Sequence, residues 1–202
     1  MSKLLQINSS LFSNQGQSSL LANRFVAKWQ AENADGQVIV RDLASDPIPH
    51  LDGERFSAFL SKPESRTPEQ QAVVDFSDQL INELKSADVL VLGLPFYNVG
   101  VPSVLTAYID HISRAGQTFA YTATGPVGLL TGKKAVVFAT RGGRYAGTPA
   151  DSQTDYVRTI LSFLGITDIE FIYAEGLAMG DPVKQEAIDT AHQKINQLRL
   201  VA

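Results

Sequence analysis

The chain contains no cysteine. Disulfides, thiolate metal sites, iron–sulfur clusters and a thiol nucleophile are therefore excluded. Histidine is also scarce. The three residues His50, His111 and His192 stand far apart and form no His-Glu-x-x-His pattern, which argues against zinc hydrolysis. Positive charge is in deficit, with 17 Lys and Arg against 21 Asp and Glu, a net −4. No basic stripe invites nucleic acid. No apolar run approaches the roughly 18 residues of a membrane span, and the N-terminal run is broken at Gln6, too soon for a signal-peptide core. No Gly-x-Ser-x-Gly occurs, so an α/β-hydrolase nucleophile is missing. These absences lead us to expect a cytoplasmic protein that binds neither membrane nor nucleic acid.

What remains is the mix of an ordinary soluble globule, 44% apolar and 19% charged over 202 residues. That length gives one domain, and we take 1–202 as a single unit. Apolar residues alternate between two kinds of segment. Lys3–Asn8, Gln37–Asp42, Asp88–Leu94, Lys133–Thr140 and Asp168–Ala174 are short, rich in Val, Ile and Leu, and read as strands. Val89–Leu92 and Ala135–Phe138 are apolar throughout, as strands are when both faces of a parallel sheet are covered.

Between the strands, apolar residues recur at helical spacing: Leu21, Phe25 and Trp29, then Val73, Phe76, Leu80 and Leu84, then Val183, Ala187, Ala191 and Ile195. Pro102–Ser113 and Asp151–Leu164 complete five helices, with Pro102 at a first helical position and Gly165 ending the second of them. Thr67-Pro68-Glu69-Gln70 has the form of a capping box. Strict alternation predicts a three-layer α/β sandwich whose five-stranded parallel sheet runs in the order 2-1-3-4-5. Two connections, Leu43–Arg66 and Gly116–Gly132, are longer than usual.

In such a sheet, ligands bind beyond the carboxyl ends of the strands where the order reverses. Three loops meet there. Ser9–Ser19 carries five Ser, three side-chain amides and Gly16, and leads into a helix. Without Lys it does not suit a triphosphate, but neutral donors at a helix start suit a monophosphate. Pro95-Phe96-Tyr97-Asn98-Val99 offers a wall for a planar ring. Thr140-Arg141-Gly142-Gly143 lets backbone N–H groups approach a heterocycle edge. Read alone, each of the first two loops is equally an ordinary turn, and the third reads better as a Gly turn leaving a strand. Read together, they describe a site for a phosphorylated planar cofactor, which flavin mononucleotide (FMN) fits.

The same residues carry a resemblance. Ser9-Ser10 with Gln15–Ser18, Pro95–Asn98, Arg114–Phe119, Thr131–Ala135, Thr140–Gly143 and Phe163–Ile166 resemble the flavodoxin-like FMN-dependent NADH azoreductases, also described as NADH:quinone oxidoreductases. The resemblance spans essentially the whole chain. It implies that Ser10, Gly16, Gln17 and Ser18 hold the FMN phosphate. It implies that Phe96, Tyr97, Asn98 and Val99 line the isoalloxazine, and that Thr140, Arg141, Gly142 and Gly143 bound its other edge. Tyr121 and Phe163 become candidates for stacking on the acceptor, although Phe163 reads equally as core.

By the same resemblance NADH is the donor, quinones and azo compounds are the acceptors, and the chemistry sits on flavin N5 with no catalytic side chain. The enzyme would be a homodimer with its flavin sites at the subunit interface. Two departures stand out: Gly16 replaces a frequent Ser, and Phe96 a frequent Met. Two other classes stay open, a flavodoxin-type electron carrier with no small-molecule substrate of its own, and a regulatory α/β module without flavin.

Overall fold

The computed structural model describes residues 2–199, so the ends of the expected 1–202 unit, residues 1 and 200–202, lie outside the described residues. Five strands form the central sheet: β1 Lys3–Asn8, β2 Gln37–Asp42, β3 Val89–Pro95, β6 Lys134–Thr140 and β7 Asp168–Ala174. They are all parallel, in the order β2-β1-β3-β6-β7, which is the expected 2-1-3-4-5 pattern. Chain order reverses between β1 and β3, and so the loops after β1, β3 and β6 emerge side by side at one sheet edge.

Neighbouring positions on each strand serve opposite layers. Leu4, Val91 and Phe138 pack with Phe25 and Trp29 of α1 (Gln17–Glu32) and with Ala191 and Ile195 of α6 (Asp181–Gln197). Leu5, Leu92 and Val137 pack on the other side with residues from α3 (Pro68–Ser86), α4 (Ser103–Ile112) and α5 (Thr154–Leu164). This two-sided demand is why the inner strands β3 and β6 are apolar without alternation.

The helix starts follow local chemistry. Thr67 accepts from the Gln70 amide while the Gln70 side chain accepts from the Thr67 amide, the expected capping box, with Pro68 inside it. Gly165 closes α5 at φ 103°, a conformation that glycine adopts freely. Pro102 differs from expectation: it is the N-cap of α4, one residue before the helix.

Both long connections hold structure that breaks strict alternation. Gly53–Leu60 is a sixth helix, α2, capped by the Asp52 carboxylate, which accepts from the Arg55 amide. Phe119–Thr122 (β4) and Gly125–Gly128 (β5) form an antiparallel hairpin outside the main sheet. It rests on the C-terminal end of α5, where Gly128 lies so close to Leu164 and Gly165 that a Cβ there would overlap their backbone. Leu130 completes the junction by donating to Leu164 O at 2.9 Å.

Candidate flavin site

At the sheet edge the three loops enclose an open cleft of about 210 Å³. Ser10, Phe12, Gly16 and Gln17 line it from the first loop, Pro95, Phe96 and Tyr97 from the second, and Thr140, Arg141 and Gly142 from the third. A larger groove of about 810 Å³ runs between α2 and α3, lined by residues such as Asp52, Glu54, Thr67 and Gln70. Volume does not decide between them. The smaller cleft is the one at the reversal of strand order, with donors converging on it.

The first loop is stiffly held. Ser9 Oγ donates to Gly93 O at 2.7 Å, and Ser13, at φ 51°, donates its hydroxyl to Asp42 at the end of β2. Gly16 is the N-cap of α1 and supplies no side-chain acceptor. A Cβ at Gly16 would overlap the Ser10 hydroxyl, which itself reaches Tyr97 OH at 3.2 Å and accepts from the Phe12 amide at 3.2 Å. Glycine at 16 is thus tied to the Ser10 position seen here.

Among the described residues, no hydrogen bond engages the amides of Gln17, Ser18 and Ser19. The Ser18 and Ser19 hydroxyls are completely buried and also lack partners. An orphaned buried polar group costs on the order of 1–3 kcal/mol, so a cluster of them asks for a ligand. A first helical turn with free N–H groups favours an anion. Gly93 lies against this turn: a Cβ on it would touch the Ser18 backbone at 3.4 Å and the Asn8 amide oxygen at 3.3 Å. Sequence reading passed over Gly93, although a lone glycine in an apolar strand is a signal of close backbone approach.

At the other end the donors are also free. The carbonyls of Arg141, Gly142 and Gly143 are spent on the amides of Leu177, Ala178 and Gly176, at 3.1, 2.9 and 2.9 Å. The amides of Gly142 and Gly143 carry no hydrogen bond among the described residues. The loop therefore presents donors. Phe96 stands between the two ends, its ring 4.9 Å from that of Tyr145. Asn98 and Val99 follow at φ 49° and 58°, in a tight turn closed by the Gly100 amide on Tyr97 O at 3.0 Å.

Arg141 borders the cleft as expected of its position, and its side chain is buried. The guanidinium donates to Glu175 at 3.1 Å, to Asp151 at 2.8 Å and to Thr154 Oγ1 at 3.0 Å. It lies between the rings of Phe96 and Tyr173, at 5.1 and 5.0 Å. Burial alone would raise the Asp151 carboxyl, but bonds from Arg141 and from the Thr154 hydroxyl and amide outweigh it and hold the pKa below the ordinary value. Glu175 also accepts from the amides of Tyr145 and Ala146, both at 2.9 Å, which fixes the loop beyond Gly143.

Of the expected site residues, the cleft brings together Ser10, Gly16, Gln17, Phe96, Tyr97, Thr140, Arg141 and Gly142. Ser18, in the first turn of α1, follows the lining residues Gly16 and Gln17, while Asn98, Val99 and Gly143 sit on the bordering turns. Tyr121 and Phe163 are elsewhere. They flank Phe119 at 5.5 and 4.5 Å, and Tyr121 is 75% exposed on the hairpin. Tyr121 edges a second groove of about 450 Å³ shared with Phe56, Phe59 and Arg114. Phe12 and Leu177 line the cleft without having been anticipated. Leu177 follows β7, whose loop the topology argument did not include.

A family model described as flavodoxin-like fold matches residues 2–198. The chain belongs to the flavodoxin-like family. Within that family it is 53% identical, over 98% of both chains, to a protein of Cellvibrio japonicus named FMN-dependent NADH:quinone oxidoreductase. It is 52% identical to a protein of the same name from Alcanivorax borkumensis, covering 95% of this chain and 97% of the other. Among solved structures, an FMN-dependent NADH-azoreductase from Bacillus anthracis in complex with FMN superposes with a TM-score of 0.87 at 29% identity, covering 98% of this chain and 99% of that one. The free amides of Gln17, Ser18 and Ser19 and of Gly142 and Gly143, with Phe96 between them, are the features of this cleft on which a cofactor reading rests.

Proposed function

We propose that this chain is an FMN-dependent NADH oxidoreductase that reduces quinones and azo compounds by two electrons at a time. One observation carries the reading: the cleft has unspent N–H donors at both ends and an aromatic wall between them. That pattern suits a cofactor with a phosphate at one end and ring carbonyls at the other. The names of relatives sharing half the sequence support it.

In this proposal Ser10, Gly16, Gln17 and Ser18 receive the phosphate, through helix amides and hydroxyls. Phe96, Tyr97, Asn98 and Val99 flank the ring, and Gly142 and Gly143 donate to its edge, which Thr140 and Arg141 bound without donating, the Arg141 amide being held by Ala174 O. When bound, FMN supplies the two-electron redox chemistry, and the protein orients it. No histidine lines the cleft, and its one guanidinium is turned inward and paired. We assign no side chain an acid–base role. Substrate protons come from water or from the cofactor's own edge.

The second aromatic group stands away from the cleft. A homodimer accounts for it: the hairpin of one protomer, carrying Tyr121, together with Phe163 near the end of α5, covers the cleft of its partner and stacks on the acceptor. Among the described residues no helix is long and apolar enough to cross a membrane. Dependence on NADH points to the cytoplasm, and the whole chain acts as one FMN-binding unit.

Anaerobic rapid mixing tests the proposal. The FMN-loaded protein should be bleached by NADH within one turnover time and recoloured by a quinone. Slow or absent bleaching would return the chain to the electron carriers. A chain that binds no flavin would be a regulatory module instead.

A further inference from the structure

Asn98 and Val99 both take left-handed backbone conformations, at φ 49° and 58°. Two successive positive values are what the tightest two-residue turns require, and they normally fall to Gly, Asn or Asp. For valine the conformation is a genuine outlier, because its branched Cβ crowds the carbonyl. Val99 is 60% exposed, so burial does not hold it there. Something else must.

The residue behind the turn is Gln153, at the N-cap of α5 and completely buried. Its Nε2 donates to Pro95 O at 2.9 Å and to Gly100 O at 3.2 Å, one carbonyl on each side of the turn. Both partners are carbonyls, so only the NH₂ end of the amide can face them. The other end, Oε1, is buried with no donor. A polar side chain kept in the interior with one end unpaired is unfavourable by itself. Its two donor bonds are the compensating feature. Next to it, Ser152 Oγ donates to Val99 O at 2.6 Å, so a third bond meets the outlier itself.

We propose that Gln153 is a positioning residue which locks the Tyr97–Gly100 turn in its strained form, so that the ring wall of the cleft exists before any ligand arrives. It touches neither cofactor nor substrate. It acts by fixing the separation of Pro95 and Gly100, between which Phe96 and Tyr97 are strung. Strained backbone persists only where its surroundings over-determine it. A wall built in advance spares the ligand the ordering entropy of the turn. As a contribution to flavin binding, the inference rests on the proposed function; as a lock on the turn, it does not.

The test uses Gln153→Met, which keeps the bulk and removes both donors. In the apo-protein, hydrogen exchange at the Gly100 amide should rise about tenfold, and dissociation constants for FMN and riboflavin should rise together by a similar factor, as expected for the loss of two hydrogen bonds of ordinary strength. Adding Val99→Gly, which removes the strain, should return Gly100 exchange most of the way to the wild-type rate. Ser152→Ala, at an exposed position, should raise Gly100 exchange in the same direction if Gln153→Met does not fold. Unchanged Gly100 exchange in the foldable variant would overturn the proposal, as would a double variant no better than Gln153→Met. If wild-type protein binds no flavin, the flavin reading fails, and Gly100 exchange in the apo-protein still decides the lock.

Discussion

At the scale of single residues, the site separates groups that wait for a ligand from groups already satisfied. Ser18 belongs to the first kind, buried at a helix start with its hydroxyl unpaired. A hydrogen bond to a charged group is worth about 1.5–3 kcal/mol. Ser18→Ala should therefore weaken FMN roughly 10- to 100-fold, while riboflavin, which lacks the phosphate, should hardly respond. Equal losses for both ligands in a titration of flavin fluorescence would locate the phosphate elsewhere. Arg141 belongs to the second kind. Its side chain is a strut between Asp151 and Glu175. Arg141→Met would leave two largely buried carboxylates unpaired, and removing one partner of a buried pair costs about 3–5 kcal/mol. The midpoint of urea unfolding should fall accordingly. Arg141→Lys should not restore it fully, because an ammonium cannot bond both carboxylates and stack between two rings at once. An unchanged midpoint in Arg141→Met would remove the strut.

At the scale of elements, the sheet was legible and its accessories were not. The inner strands β3 and β6 announce themselves because they are buried on both faces, which leaves an unbroken apolar run, whereas the edge strands β2 and β7 are only partly buried and are marked by their Val and Ile content. The capping box of α3 is a local interaction, so local sequence suffices to find it. The hairpin β4–β5 has only four residues in each strand and no core of its own. It is set by a Gly128–Gly165 contact between segments distant in sequence, which no local pattern reveals. Helix α2 lay hidden behind Pro47 and Pro49, although Asp52 and the spacing of Phe56, Phe59 and Leu60 were available signals. The site shows the same division: loop positions were legible, but Gln153 and Glu175 were not, since their partners lie on other loops.

Helix α2 brings its own test. Its Phe59 packs edge-on against His111 of α4 at 6.0 Å, and Phe76 of α3 does so at 5.9 Å. His111 is completely buried, donates from Nδ1 to Ala107 O at 2.9 Å and leaves Nε2 unpaired. Burial pushes its pKa below the ordinary value; the Ala107 bond, Asp110 and Asp52 oppose this only partly, and Arg55 adds to it. The folded protein thus keeps His111 neutral while the unfolded chain takes a proton near pH 6.5. Its contribution to stability is full above that pH and is lost as pH falls from there towards the folded pKa. Urea midpoints of wild type should drop between pH 7 and pH 5 by more than those of His111→Phe. Equal drops would show that the buried ring does not titrate on unfolding in this range.

At the scale of the whole molecule, one cleft must serve two reactants. A single family model, flavodoxin-like, accounts for residues 2–198, and those residues form one parallel sheet with one reversal of strand order. Only one sheet edge carries the converging loops. Electron transfer from nicotinamide and transfer to an acceptor both need close, aligned contact with the same ring face. The two molecules cannot stack there together, so NADH has to react and leave before the acceptor enters. At several fixed quinone concentrations, double-reciprocal plots against NADH should be parallel. High quinone should inhibit competitively against NADH, because it occupies the cleft of the oxidised protein. If each cleft is completed by the partner's hairpin, activity should also fall on dilution in step with dissociation of a dimer by light scattering, and Tyr121→Ala should raise the KM for quinone while leaving FMN affinity intact. Intersecting lines, together with full activity in a species of about 21.9 kDa, would require two separate binding surfaces on one protomer and would end the shared-face model.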